Sequence, residues 1–131
     1  MAVMTYLYRD ASNYKQINAV YLDGDLPTEE EKQIVKKALD VGEYFIPEQF
    51  GLPIERPGET NEDDHCWCEF DPFTGFLEDD EAERELGSGF WIQESFFSVD
   101  DIVSKFREIA EGKDYWHESD YAVCFDEEYN D

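Results

Sequence analysis

The sequence predicts an α+β fold, in which an antiparallel sheet carries two amphipathic helices on one face. Two observations predict it. Strand-like segments lie near enough in the sequence to pair locally, and two helix patterns each begin at a capping residue and carry one apolar stripe. The opposite face of the sheet would then be solvated or would bind a partner.

An N-terminal hairpin is the first predicted element. Residues 3–8 are β-branched and aromatic, and residues 17–22 alternate loosely between apolar and polar side chains. The turn-rich stretch between them, residues 9–14, favours antiparallel pairing of the two strands.

The first helix is predicted over residues 28–41. Thr28 and Glu31 form a capping box, in which the Thr28 hydroxyl accepts from the Glu31 amide and Glu31 reaches back to Thr28. Gly42 suits the left-handed position after the last turn. The apolar stripe consists of Ile34, Val35, Ala38 and Leu39.

The middle of the chain predicts short strands and turns. Residues 44–46 can form a strand that Pro47 stops, because proline has no amide hydrogen to donate. Residues 57–64 form a polar loop, residues 65–70 read as a strand, and residues 71–75 as a turn.

The C-terminal half contains the second helix. It begins at Ser98, with Asp101 in the third position, and ends at Gly112. Residues 78–86 are compatible with a short helix or a loop. Residues 90–92 and 121–125 are candidate strands.

The chain is predicted to form one domain over residues 1–125, followed by a frayed acidic tail over residues 126–131. No apolar run reaches the roughly 18 residues of a membrane span, and the N-terminus has no signal-peptide pattern. Three cysteines, an odd number, argue against a disulfide framework. We therefore expect a cytoplasmic protein.

Charge is the strongest signal in the composition. The chain carries 34 acidic and 10 basic residues, a net charge of −24. Residues 1–56 hold 10 acids and 6 bases, whereas residues 57–131 hold 24 acids and 4 bases, a net of −20. Such a field repels nucleic acid and anionic membranes, so neither is expected as a direct partner.

A basic protein surface is the expected partner, and a nucleic-acid-binding enzyme is one candidate, because a rigid acidic surface can compete for a basic cleft. Aromatic side chains threaded through the acidic half would act as anchors: Phe70, Phe73, Phe76, Phe90, Trp91, Phe96 and Phe97. The predicted acidic surface consists of Glu62, Asp63, Asp64, Glu69, Asp71, Glu78, Asp79, Asp80, Glu81, Glu83 and Glu85.

A metal site is the alternative hypothesis for the same region. Cys66 and Cys68 face one side of a strand, and they could share a metal if His117 or Cys124 came close. Zinc sites more commonly pair cysteines as C-x₂-C, so burial of Cys66 and Cys68 in the core is the favoured interpretation. No EF-hand loop is present.

Catalytic motifs are missing from the sequence. It has no G-x-S-x-G elbow, no phosphate-binding loop and no dinucleotide fingerprint. His65 and Cys66 are adjacent on a strand and would point to opposite faces. We therefore expect a non-enzymatic protein without a cofactor.

Three segments carry a family resemblance: YRDASNYK from Tyr8, GEYFIPEQFGLP from Gly42, and Asp64-His65 with Trp67. Together they resemble a group of small acidic bacterial proteins that occur in mobile-element or phage-like settings. The resemblance covers about the first half of the chain and transfers no active site. It implies a bacterial, cytoplasmic accessory protein.

Overall fold

The structure, a computed structural model, describes residues 1–58, 64–87 and 90–122. These residues form five strands and three α-helices, so the α+β prediction is confirmed. The strands are β1 (Ala2–Arg9), β2 (Lys15–Leu22), β3 (Tyr44–Phe45), β4 (Cys68–Glu69) and β5 (Phe76–Glu78). The helices are α1 (Glu29–Ala38), α2 (Asp79–Leu86) and α3 (Val99–Ala110).

Strand β1 lies in the middle of an antiparallel sheet. It pairs with β2 over its whole length, from Ala2 opposite Leu22 to Arg9 opposite Lys15, which confirms the predicted hairpin. On its other side β1 pairs first with β5 and then with β4, and β3 pairs with β4. The sheet therefore places β4 beside β1, although about sixty residues separate them in the chain.

The inner face of the sheet carries the main core. Alternate residues of β1, including Met4, Tyr6 and Tyr8, are buried among the apolar side chains of α1 and α3. Phe106 of α3 and Phe45 of β3 meet there with their ring centroids 5.7 Å apart. Both predicted helices thus pack on one face, as expected.

The outer face of the sheet is covered at one end only. Val3, Ala19 and Leu77 pack with Ala82 of α2, and Phe90 adds to this smaller cluster. Helix α2 resolves the choice between helix and loop that the sequence left open for residues 78–86. The other end of the outer face has no helix over it among the described residues.

Helix α1 begins as predicted and ends earlier. Both hydrogen bonds of the Thr28 capping box are present, from Glu31 N–H to the Thr28 hydroxyl at 3.1 Å and from Thr28 N–H to the Glu31 carboxylate at 2.9 Å. The helix ends at Ala38 and not at residue 41. The reason is a tight turn in which Asp40 and Tyr44 exchange backbone hydrogen bonds, with Gly42 at φ 74°.

The strand predictions need several corrections. Of residues 65–70 only Cys68–Glu69 forms a strand, because its partner β3 is itself cut short where Pro47 starts a 3₁₀-helix (Pro47–Phe50). Residues 90–92 form no strand; the next residue, Gln93, forms an isolated bridge with Val20 of β2. Strand β5 was not predicted.

The predicted C-terminal strand also needs correction. Tyr121 belongs to a 3₁₀-helix, Glu118–Tyr121, that is held by a hydrogen bond from Asp120 N–H to the His117 carbonyl. Residues 123–125 and the predicted tail 126–131 lie outside the described residues. Within the described ranges, no helix is long and apolar enough to cross a membrane.

Candidate functional site

The uncovered end of the outer sheet face carries a row of side chains across four strands. The strand register places Ile17 of β2 opposite Leu7 of β1, Leu7 opposite Glu69 of β4, and Glu69 opposite Tyr44 of β3. Ile17 is 45% exposed. Apolar and charged side chains therefore lie next to one another on a solvent-accessible surface.

Three depressions adjoin one another along this face. The first, about 400 Å³, includes Leu7, Tyr44 and Trp67; the second, about 300 Å³, includes Thr5 and Ile17. They share Leu7 and Glu69. The third, about 490 Å³, lies between α2 and residues 90–92 and shares Leu86 with the second. We call the three together the outer groove, and the first of them the Trp67 pocket.

The outer groove is strongly acidic. Arg9 is the one lysine or arginine among the described residues that line it. Carboxylates are far more numerous, and the described lining contains Asp40, Glu69, Asp71, Asp79, Asp80, Glu83 and Glu118.

Hydrogen bonds hold the wall of the Trp67 pocket in place. Arg9 Nε donates to Glu69 Oε2 at 2.8 Å, so the Arg9 guanidinium is already neutralised. His65 Nδ1 accepts from the Trp67 amide at 3.1 Å, which leaves Nε2 protonated to donate to the Arg9 carbonyl at 2.7 Å. The Trp67 ring meets Trp116 edge-on, with centroids 5.8 Å apart.

Tyr8 supports this wall from the inner side of the sheet. Its hydroxyl donates to Asp64 and accepts from the His65 amide, and the Arg56 guanidinium lies 5.1 Å from its ring centroid. Burial, followed by the hydrogen bond to Asp64, raises the pKa of Tyr8 to about 12. Asp64, predicted as part of the acidic surface, therefore has a structural role.

Helix α2 and its N-cap hold six of the predicted surface acids. Glu78 and Glu81 form the capping box of α2, and Asp80 lies 3.6 Å from Arg84. Asp79 and Glu83 line the third depression, whereas Glu85 is exposed outside the groove lining.

The remaining predicted acids fall in different places. Glu69 and Asp71 line the groove, with Asp71 Oδ1 also accepting the Phe73 amide at 2.9 Å. Glu62 and Asp63 lie outside the described residues. Asp40 and Glu118 line the Trp67 pocket but were not predicted, because they lie outside residues 62–85, which hold all the predicted acids, and reach the pocket through tertiary structure.

The predicted aromatic anchors separate into core and surface. Phe70 and Phe76 are buried in the main core, although Phe70 also lines the second depression. Trp91 is largely exposed and Phe96 is fully exposed. Phe73 is 39% exposed, and Phe90 and Phe97 are partly buried. Near Trp91, backbone hydrogen bonds from Tyr21 to Gln93 and from Gln93 to Ala19 hold the chain along the edge of β2.

The two described cysteines belong to the interior. Cys66 and Cys68 are each 1% exposed, and burial raises the pKa of both thiols. His117 is engaged by Asp114, 2.9 Å away, and lies 3.8 Å from Asp120. Within residues 1–58, 64–87 and 90–122, no three His, Cys, Asp or Glu residues are arranged to hold a metal ion, and Cys124 lies outside these ranges.

The fold and the groove define a small α+β protein with an acidic, partly apolar outer sheet face. No protein-family model, curated protein or solved structure matches the chain. The resemblance to small acidic mobile-element proteins stays a prediction.

Proposed function

We propose that this protein is a non-enzymatic, cytoplasmic interaction protein that binds a basic protein surface through the outer groove. The observation that carries the proposal is the composition of the groove lining. Among the described residues, it combines many carboxylates with one arginine, Arg9, which is already paired with Glu69. Carboxylates on a concave surface attract a cationic partner and steer its approach.

Apolar side chains in and beside the groove can add affinity to this attraction. Leu7, Ile17 and Leu86 line it, and the exposed Trp91 lies in the chain between Phe90 and Ile92, which line the third depression. Large aromatic and aliphatic groups are the side chains that concentrate binding energy at interfaces.

A nucleic-acid-binding enzyme is the partner class that fits this chemistry best. Such enzymes present basic clefts to a duplex that carries one negative charge per roughly 1.7 Å of axis. An acidic, folded surface can occupy the same cleft and act as an inhibitor. A mobile-element protein directed against a host enzyme would work in this way, and that setting rests on the sequence resemblance.

A pair of charge-matched variants tests the proposal. The groove triple combines Asp71→Asn, Asp79→Asn and Glu83→Gln, and the control triple combines Asp25→Asn, Glu30→Gln and Glu108→Gln. The control positions are exposed and lie outside the described groove lining. Each triple removes three negative charges, so the two differ only in where the charge is lost.

Fluorescence anisotropy would measure the affinity of each variant for a labelled oligoarginine peptide at low and moderate salt. We expect the groove triple to bind at least several-fold more weakly than the control triple. Displacement of a labelled DNA duplex from purified nucleic-acid enzymes then tests the inhibitor hypothesis with the same two variants. Equal affinity of the two triples for the peptide would contradict the proposed surface.

A further inference from the structure

We infer that the Trp67 pocket receives an arginine side chain of the basic partner. The inference rests on the proposed function and narrows it to one contact. Three features of the cavity support it: its charge, its aromatic walls and the contacts that hold those walls in place.

The charge of the pocket favours a cation. Glu69 is balanced by Arg9, which leaves the carboxylates of Asp40 and Glu118. Neither forms an ion pair with a lysine, arginine or histidine of the described residues. The pocket therefore has two carboxylates available to a cationic ligand, and an anionic ligand would be repelled.

The walls favour a planar cation with an apolar stem. Tyr44 and Trp67 are both partly exposed and line the cavity with Leu7. Guanidinium groups interact favourably with tyrosine and tryptophan rings, and aliphatic stems pack on leucine. A guanidinium also has donors pointing in several directions in its plane, so that it can bond to more than one carboxylate, whereas an ammonium group is a compact point charge.

The pocket is built before any ligand arrives. Arg9 is held by both Glu69 and Asn13, the latter at 2.7 Å from Nη1. Trp67 is fixed by the His65 ring below its amide and by Trp116 beside its indole. A preformed site loses less entropy on binding than one that must first be ordered.

Three distant segments of the chain meet at this cavity. Arg9 comes from the first of the segments that carried the sequence resemblance, Tyr44 from the second, and His65 and Trp67 from the third. The proposed arginine contact would make these three segments parts of one binding site.

The probe for the experiment is N-acetyl-arginine-N-methylamide, and its neutral counterpart is N-acetyl-citrulline-N-methylamide. Citrulline keeps the shape of arginine and loses its charge. Titration into the ¹⁵N-labelled full chain is followed by the backbone amides of Leu7 and Tyr44 and by the Trp67 indole. We expect saturable shifts at these positions with the arginine probe and about 10-fold weaker binding of the citrulline probe.

Two double variants locate the site. Asp40→Asn with Glu118→Gln should weaken binding of the arginine probe by about 2- to 10-fold, as expected for two exposed charges. Glu30→Gln with Glu108→Gln removes the same charge elsewhere and should change it by less than about 2-fold. Neither pair removes an apolar contact, so the spectra should show that both variants stay folded.

The outcomes separate this inference from the proposed function. Equal binding of arginine and citrulline probes, or equal loss in the two double variants, would overturn the arginine pocket even if oligoarginine still binds the groove. Selective loss in the Asp40 and Glu118 variant would support the pocket even if the groove triple and the control triple bind oligoarginine alike.

Discussion

Tyr8 links the pH dependence of stability to the wall of the proposed site. Its side chain is buried, and its pKa is raised from 10.0 to about 12. A phenol with a raised pKa in the folded state stabilises the protein fully below pH 10, and this contribution is lost as the pH rises towards 12. We therefore expect the free energy of unfolding to fall across this interval.

The variant Tyr8→Phe isolates this effect. It removes the ionisable group, so its unfolding free energy should fall less steeply between pH 10 and 12 than that of the wild type. Urea unfolding at intervals across this range measures both slopes. Parallel curves would show that Tyr8 ionises with the same pKa in the folded and unfolded chains.

Gly75 is a position where the backbone leaves no space for a side chain. A Cβ atom there would lie 2.5 Å from Phe70 Cε1, 2.8 Å from the Asp71 carbonyl oxygen and 2.9 Å from that of Thr5. Two of these atoms belong to the backbone and cannot rotate away. Gly75→Ala should therefore lower the free energy of unfolding by about 1–3 kcal/mol.

Gly24→Ala is the matched control for Gly75→Ala. Gly24 has φ 104° and no neighbouring atom within 4 Å, so alanine there adds only backbone strain. We expect the change at Gly24 to cost less than the change at Gly75 in chemical denaturation. A larger cost at Gly24 would mean that the Gly75 turn relaxes around the new methyl group.

At the scale of elements, the start of α3 depends on one side chain. The Ser98 hydroxyl accepts from the Asp101 amide at 3.0 Å, and the Asp101 carboxylate accepts from the Ser98 amide at 2.9 Å. Ser98→Ala removes the acceptor and should destabilise the protein by about 1 kcal/mol. Thermal or urea unfolding would measure the loss.

Ser104→Ala supplies the comparison within the same helix. Ser104 is exposed in the body of α3, where alanine has the better helix propensity. This change should be neutral or slightly stabilising. If both serine variants lost the same stability, the capping interaction would not be the cause.

The sequence predicted elements whose signals are local and missed those that depend on distant pairing. Thr28 and Ser98 mark helix starts because each side chain accepts its capping hydrogen bond from an amide only three residues further along the chain. Strand β5 forms where β1 provides a partner, and the short β4 forms between β1 and β3. Nothing near these strands in the chain indicates those partners. The Trp67 pocket was missed for the same reason, because Leu7 and Glu69 become neighbours only when the sheet forms.

At the scale of the whole molecule, the net charge of −24 destabilises the folded state and strengthens binding to a cationic partner. Self-repulsion among the carboxylates destabilises the compact state, and salt screens it over a Debye length of about 10 Å at 0.1 M and about 3 Å at 1 M. Moderate sodium chloride should therefore raise the midpoint of thermal unfolding. The same screening should weaken binding of the oligoarginine peptide.

The groove triple and the control triple separate the effect of net charge from the effect of charge within the outer groove. Both remove three charges from the same total, so both should show a weaker increase of unfolding temperature with salt than the wild type. Only the groove triple should also lose affinity and salt dependence in peptide binding, because the removed carboxylates belong to the outer groove. Calorimetry and anisotropy on the same samples measure the two responses. If both triples lost binding in proportion to their charge alone, the whole field and not the groove would attract the partner.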